Sequence, residues 1–383
     1  MLRITCESCM IPQTNPKAAY LAQREAIDAA IRRVLETGWY IQGEEVAAFE
    51  REFAAYAGAK HAVACASGTD ALILALRALG IGPGDAVITV SHTAVATVAA
   101  IELAGATPVL VDTDDCWTMA PAALEAVLQA WPAGAPKPKA VIPVHLYGQP
   151  AAMPEIAALA ERHGLILLED NAQAHGATLG GRMVGRWGKA AAYSLYPTKN
   201  LGAIGDGGIV TTDDDAVADT LRALREYGWR ERYISAIAGM NSRLDPLQAA
   251  ILRVKLGALS ADTDRRRAIA ARYSAGLAGL AGLGLPKVRS GAAPVFHLYV
   301  VDAGQRRDEL QAKLKERGVG TLIHYPVPVH LQPAYRGKIA LGPGGLPNTE
   351  RAAKSVLSLP LFPQLPDADV DTVIAAVKTA WNT

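Results

Sequence analysis

Two patterns alternate along the chain from about residue 45 to 215. Apolar residues recur at spacings of three and four over Glu45–Ala55, Asp70–Leu79, Ala122–Gln129 and Met153–His163, which predicts helices with one buried face. Between them lie short apolar runs at His61–Ala66, Ala86–Val90, Pro108–Val111, Ala140–Val144, Leu165–Leu168, Ala191–Leu195 and Gly208–Thr211. Such runs have the length of buried strands. Strands that alternate with helices imply βα units and a mostly parallel sheet sandwiched by helices. Leu247–Leu280 reads as a long helix with a break near Gly257–Asp262, and its Arg265–Arg267 triplet reads as a solvated face. Beyond about residue 290 the rhythm changes. Strands are expected at His297–Val301 and Gly320–His324, and helices at Arg307–Arg317 and Asp367–Trp381. The predicted architecture is therefore α/β in two parts. Residues 1–255 give an N-terminal segment and a large domain, and residues 256–383 give a connecting helix and a smaller C-terminal α/β domain.

Composition narrows the function. The 383 residues hold 38 Lys+Arg against 37 Asp+Glu. That balance argues against nucleic acid or an anionic membrane as the main partner, and leaves room for a small anionic ligand. The most apolar segment, Ile88–Val111, is interrupted by Ser91, His92, Glu102 and Pro108, so it is no membrane span. The N-terminus lacks the apolar stretch of a signal peptide. The chain reads as a cytoplasmic protein with free thiols. Cys6 and Cys9 have zinc or redox spacing, but no second Cys/His pair accompanies them. His324 and His330 are separated by Pro326 and Pro328 and share no helix face, so no metal site is expected.

In parallel sheets a ligand sits beyond the carboxyl ends of the strands. The residues that follow the apolar runs are Ser67-Gly68-Thr69, Ser91-His92-Thr93, Asp112, His145, Asp170 and Ser194–Lys199, a polar and partly charged set. Ser67-Gly68-Thr69 ends a strand and opens a helix. Its free backbone N–H groups suit a phosphate, although a plain N-cap explains the same residues. Asp170 at a strand exit reads equally as a helix cap or a ligand contact. Lys199 follows an apolar strand beside Ser194, Tyr196 and Thr198, and a glycine-rich stretch comes next. A lysine against an apolar wall can lose its charge and become a Schiff-base nucleophile, whereas most loop lysines are simply solvated. An aspartate, a lysine some thirty positions later and a phosphate-type helix start upstream together fit pyridoxal phosphate (PLP).

Seven ordered motifs carry a family resemblance: Thr37–Gly43, Ser67–Leu72, Pro143–Gly148, Glu169–His175, Ser194–Gly208, Gly239–Asp245 and His324–Gln332. From about Ile11 to Trp381 the chain resembles the DegT/DnrJ/EryC1/StrS sugar aminotransferases, which are fold-type I PLP enzymes. The resemblance implies that Lys199 forms the Schiff base with PLP and that Asp170 pairs with the pyridinium nitrogen. Gln173 would lie near the phenolic oxygen, and Gly68, Thr69 and Ser194 would hold the phosphate. Asn241 would reach the phosphate of a neighbouring subunit, because the family builds each site across a homodimer interface. Tyr196, His324 and Tyr325 would line the sugar pocket, with His330 and Arg243 as further substrate contacts. Arg230 and Arg232 are candidates for a nucleotide diphosphate.

One position departs from the family pattern. Where members carry an aromatic residue that stacks on the pyridine ring, this chain has Ala94, so either the stacking is lost or His92 substitutes from two positions earlier. The reaction implied is transfer of an amino group from L-glutamate to a nucleotide-linked ketosugar. The motifs at Gly239–Asp245 and His324–His330 look most like those of enzymes that act at C-3 of a dTDP-3-keto-6-deoxyhexose. C-4 aminotransferases and cyclitol aminotransferases are the alternatives within the family. A PLP-binding regulatory protein without turnover is the alternative outside it.

Overall fold

The computed structural model describes residues 10–383, so Cys6 and Cys9 lie outside the described residues. Seven of the predicted runs form one sheet, in the spatial order His61–Cys65, Gly208–Thr212, Ala190–Ser194, Ile166–Asp170, Lys137–Val141, Asp85–Val90 and Thr107–Val111. Neighbouring strands are parallel except at Gly208–Thr212, which runs antiparallel to both of its neighbours. A short C-terminal piece, Ala340–Leu341, joins the far edge beside Thr107–Val111. The sheet is mostly parallel, and separate apolar cores lie on its faces. One contains Ile88, Val111, Ile156 and Leu167; another contains Leu72, Leu76, Val87 and Leu168. Alternate residues of a strand point to opposite faces, which is why Val87 and Ile88 enter different cores.

The helix Gly68–Ala78 is buried without interruption from Ala71 to Leu76. It runs through the interior, so it needs no polar face. Ser67 caps it, its Oγ accepting from the Asp70 N–H at 3.0 Å.

Several expectations are corrected. Pro246–Leu277 is a single helix with no break at Gly257. A mid-helix glycine costs about 1 kcal/mol, and packing against the helices Arg24–Thr37, Glu44–Ala57 and Asp367–Asn382 outweighs it. The Arg265–Arg267 triplet is not a solvated face. Arg266 is buried, with Nη1 directed at the carbonyl oxygens of Phe296, His297 and Leu361. Arg265 donates to Leu365 O and to Asp367, and Arg267 to Pro294 O, so the triplet joins the long helix to the C-terminal region. Gly320–His324 forms no strand. Only Leu322 bridges to Ser358, after which the chain leaves to carry His324 and Tyr325 elsewhere. Tyr299–Asp302 is a strand, paired with Val356–Leu359, but it begins two residues later than predicted and leaves His297 outside it.

The long helix serves two cores. Ala249, Leu252 and Leu259 pack with Phe49 and Tyr193, whereas Ile269, Tyr273 and Leu277 pack with Tyr299, Leu314 and Val377. Ile11 hydrogen-bonds to Gly318 and Gly320, so the first described residues pack with the C-terminal region. Among the described residues no helix is long and apolar enough to cross a membrane.

Candidate active site

A cavity of about 350 Å³ opens at the carboxyl ends of the parallel strands. Its wall includes Ser67, Gly68, Thr69, Asp170, Ser194 and Lys199. Residues 67, 170 and 194 lie at or just beyond three strand ends, so the alternation read from the sequence brings them together.

Asp170 is the last residue of its strand and is buried. Its Oδ1 accepts from the Ala172 N–H at 3.1 Å, and its Oδ2 accepts from Thr97 Oγ1 at 2.9 Å. Thr93 Oγ1 lies 2.9 Å from Thr97 Oγ1, so a short hydroxyl chain supports the carboxylate. Burial raises the Asp170 pKa; these donors and Lys199 pull the other way. No cation of the described chain forms a salt bridge with it. A buried carboxylate without one suits a cationic ligand nitrogen.

Lys199 follows the strand Ala190–Ser194, and its backbone N–H donates to Tyr196 O at 2.8 Å. Burial lowers its pKa to about 8, against the pull of Asp170. The imidazole of His297 also faces the cavity. It bonds to Asn200 through Nδ1 at 3.1 Å, and burial keeps it neutral at ordinary pH.

The opposite end fits an anion. Gly68 begins the helix Gly68–Ala78 against Ser194, and a Cβ there would lie 2.6 Å from the Ser194 Cβ and 2.9 Å from its Cα. Only glycine permits this approach, which sets the helix N-terminus, Thr69 and Ser194 Oγ around one corner. The remaining wall comes from Tyr196, which is half exposed, and from His324 and Tyr325. Gln173 donates from Nε2 to the Tyr325 hydroxyl at 3.2 Å, and its Oε1 accepts from the Tyr147 N–H at 2.7 Å. His324 bonds through Nδ1 to Ser358 Oγ at 2.8 Å.

Some predicted residues are not brought here. His92 does not lie over the cavity. It is fully buried outside it, with Nε2 at 2.8 Å from the Tyr147 hydroxyl, while Ala94 itself lines the wall. His330 also lies outside, buried, with Nδ1 2.7 Å from Ser91 Oγ and Nε2 3.4 Å from Glu350. Both histidines stand next to the site in sequence, but the folded chain turns them into its interior. Asn241 is exposed away from the cavity and accepts from Arg243 Nε at 2.9 Å. Arg243 also pairs with Glu226, Arg230 pairs with Asp219, and Arg232 lies over the Tyr233 ring. None of these four lines the cavity of its own chain. Sequence reasoning missed Thr97 and His297 as cavity residues, and missed Tyr147, which lies outside the cavity and donates to Gln173. Among the described residues no group of three or more His, Cys, Asp or Glu could hold a metal.

A sheet with ligand groups at its carboxyl edge, a lysine after one strand and a buried aspartate at the end of the next define a fold-type I PLP-dependent transferase. A model of the DegT/DnrJ/EryC1/StrS aminotransferase family matches residues 22–378, and the chain belongs to that family. It is 50% identical over 373 residues to dTDP-3-amino-3,4,6-trideoxy-alpha-D-glucose transaminase of Streptomyces venezuelae, covering 97% of this chain and 96% of that one. The structure of S. venezuelae DesV in complex with a ketimine intermediate matches with a TM-score of 0.93 at 50% identity, over 98% of this chain and 99% of that one. NtdA from Bacillus subtilis, with bound cofactor PMP, matches with a TM-score of 0.86 at 29% identity, over 100% of this chain and 85% of that one.

Proposed function

We propose that this chain moves an amino group from L-glutamate to C-3 of a nucleotide-linked keto-deoxysugar, with PLP as cofactor. The observation that carries the reading is the placement of Lys199 and Asp170 on one cavity wall, in a chain half identical to a C-3 sugar transaminase along its length. The residues fit the cofactor: Lys199 for the aldehyde, Asp170 for the ring nitrogen, and Gly68, Thr69 and Ser194 for the phosphate. Bound there, PLP supplies an electron sink for the charge left when a proton leaves the carbon that bears the amine.

The chain supplies the rest. Lys199 Nζ would capture the cofactor aldehyde with release of water and, once displaced by the donor amine, would act as the base that carries a proton from the amine-bearing carbon to the cofactor, and in the second half-reaction from the cofactor to the acceptor carbon. The Asp170 carboxylate would pair with the ring nitrogen and keep it protonated. Thr97 and the Ala172 N–H hold that carboxylate in place. Gln173 would meet the ring oxygen, and Tyr196, His324 and Tyr325, which line the same cavity, would bound the space for the sugar. In the homodimer that the reading entails, Asn241 would complete the partner's phosphate site, and Arg230, Arg232 and Arg243 are the candidates for the nucleotide diphosphate. The exposed aromatic and aliphatic side chains of Trp39, Tyr40 and Ile41 suit burial in that interface.

Only the neutral amine of Lys199 attacks an aldehyde. Uptake of PLP by the cofactor-free protein will therefore accelerate as pH rises and level off above about 8. Asp170 holds the Lys199 pKa up, so in Asp170→Asn the plateau will begin at lower pH. Stopped-flow absorbance checks both. Function is tested with L-glutamate and a panel of dTDP- and UDP-linked 3-keto and 4-keto sugars, with products resolved by NMR. Amination at C-3 is the expected result. Amination at C-4, of a cyclitol, or of nothing in the panel would each replace this reading.

A further inference from the structure

Tyr147 is buried outside the cavity and takes a backbone conformation that aromatic residues rarely adopt, with φ 60° and ψ 7°. Left-handed backbone costs a residue with a side chain on the order of 1 kcal/mol, and it persists where the surroundings over-determine it. The next residue, Gly148, continues at φ 89°, and a Cβ there would lie 2.9 Å from the backbone nitrogen of His297. This turn points the Tyr147 ring inward.

Each polar group that Tyr147 turns inward is used. Its N–H donates to Gln173 Oε1 at 2.7 Å, and Gln173 in turn donates to the Tyr325 hydroxyl at 3.2 Å. Its hydroxyl donates to the carbonyl oxygen of His324. With its proton so committed, that hydroxyl accepts from His92 Nε2 at 2.8 Å. Burial lowers the His92 pKa to about 4, so the ring keeps a single N–H, and this contact fixes it at Nε2. The His92 Nδ1 has no partner among the described residues, as expected of the bare nitrogen in that tautomer. Two arms from one residue thus reach the consecutive wall residues His324 and Tyr325. One passes through the backbone and Gln173; the other passes through the side chain.

We propose that Tyr147, oriented by His92, is a positioning residue for the sugar acceptor: it sets the spacing between the His324–Tyr325 wall and Gln173, which come from distant parts of the chain. The proposal rests on the sugar-aminotransferase reading and deepens it. A bulky acceptor that leans on His324 and Tyr325 depends on that spacing. A small amino donor does not need to lean on that wall and depends on its spacing much less.

The test uses PLP-loaded, full-length Tyr147→Phe, His92→Leu and His92→Gln, with the two half-reactions followed separately by absorbance. In Tyr147→Phe the KM for the ketosugar will rise about tenfold, while the half-reaction with L-glutamate stays within about twofold. His92→Leu will behave alike. His92→Gln, whose amide nitrogen reaches the Nε2 position, will restore most of the loss. If Tyr147→Phe misfolds by circular dichroism, the His92 pair decides on the same criterion. Equal losses in both half-reactions, or no change in either, would overturn the proposal while leaving the sugar reading intact. An unaltered enzyme that aminates no ketosugar overturns both.

Discussion

Lys199→Ala will yield a folded protein with no absorbance band from a covalently held aldehyde and a turnover lower by at least about 10³-fold. The side chain has two tasks that no neighbour can take over. In the proposed reaction it is the primary amine that captures the cofactor and the base that moves the proton. The other nitrogen bases on the wall are imidazoles, and His297 and His324 are already bonded through Nδ1 to Asn200 and Ser358. Alanine removes little packing at a partly buried position, so the thermal midpoint will change little while activity vanishes. An absorbance scan, single-turnover kinetics and a melting curve separate these effects. Retained turnover would remove Lys199 from the mechanism.

Asp170→Asn will keep the shape of the site and lower kcat by about 10²–10³-fold, because the ring nitrogen loses the charge that keeps it protonated. A second readout distinguishes this role from a structural one. In the cofactor-free protein, burial raises the Asp170 pKa above its unfolded value. An acid shifted upward makes its charged form a cost in the fold, and that cost is absent once the pH falls below the unfolded pKa. Cofactor-free Asp170→Asn will therefore be more stable than the unaltered protein at pH 7. The advantage will close as pH falls below the usual aspartate range. With PLP bound the order will reverse, since the carboxylate then has its cation. Urea melts with and without cofactor, across pH, read both signs. An unchanged kcat, or a cofactor-free variant that is less stable, would contradict the pairing.

Much of the site was legible because its key groups sit at strand exits. Ser67-Gly68-Thr69, Asp170 and Ser194–Lys199 each follow an apolar run, and a parallel sheet gathers such residues at one edge whatever lies between them. Thr97 left no such sign. It sits within the apolar helix Val95–Leu103, where a threonine reads as a tolerated polar residue, and only the fold turns its hydroxyl toward Asp170. His297 was placed inside a strand that starts two residues later, so its turn into the cavity was invisible. His92 and His330 misled for the converse reason. Nearness in sequence to a site says little about which side of the sheet a ring occupies. The break expected at Gly257 failed because local propensity near 1 kcal/mol is small beside the packing along a long helix. Arg266 failed as a surface residue because its neighbours, not its own type, decide whether carbonyl oxygens surround it.

The one reversed strand has a consequence for how the enzyme tolerates change. Ser194 and Gly208 are partners across adjacent strands, so the segment from 195 to 207 leaves and re-enters the sheet at the same edge. A parallel neighbour would have sent the chain on a long crossover to the far edge, with slack to absorb an insertion. Here both ends of the lysine segment are moored side by side. Adding or deleting a residue between Ser194 and Lys199 would displace the lysine from the strand end that anchors it, so in the proposed reaction the length of that stretch matters as much as the residue it carries.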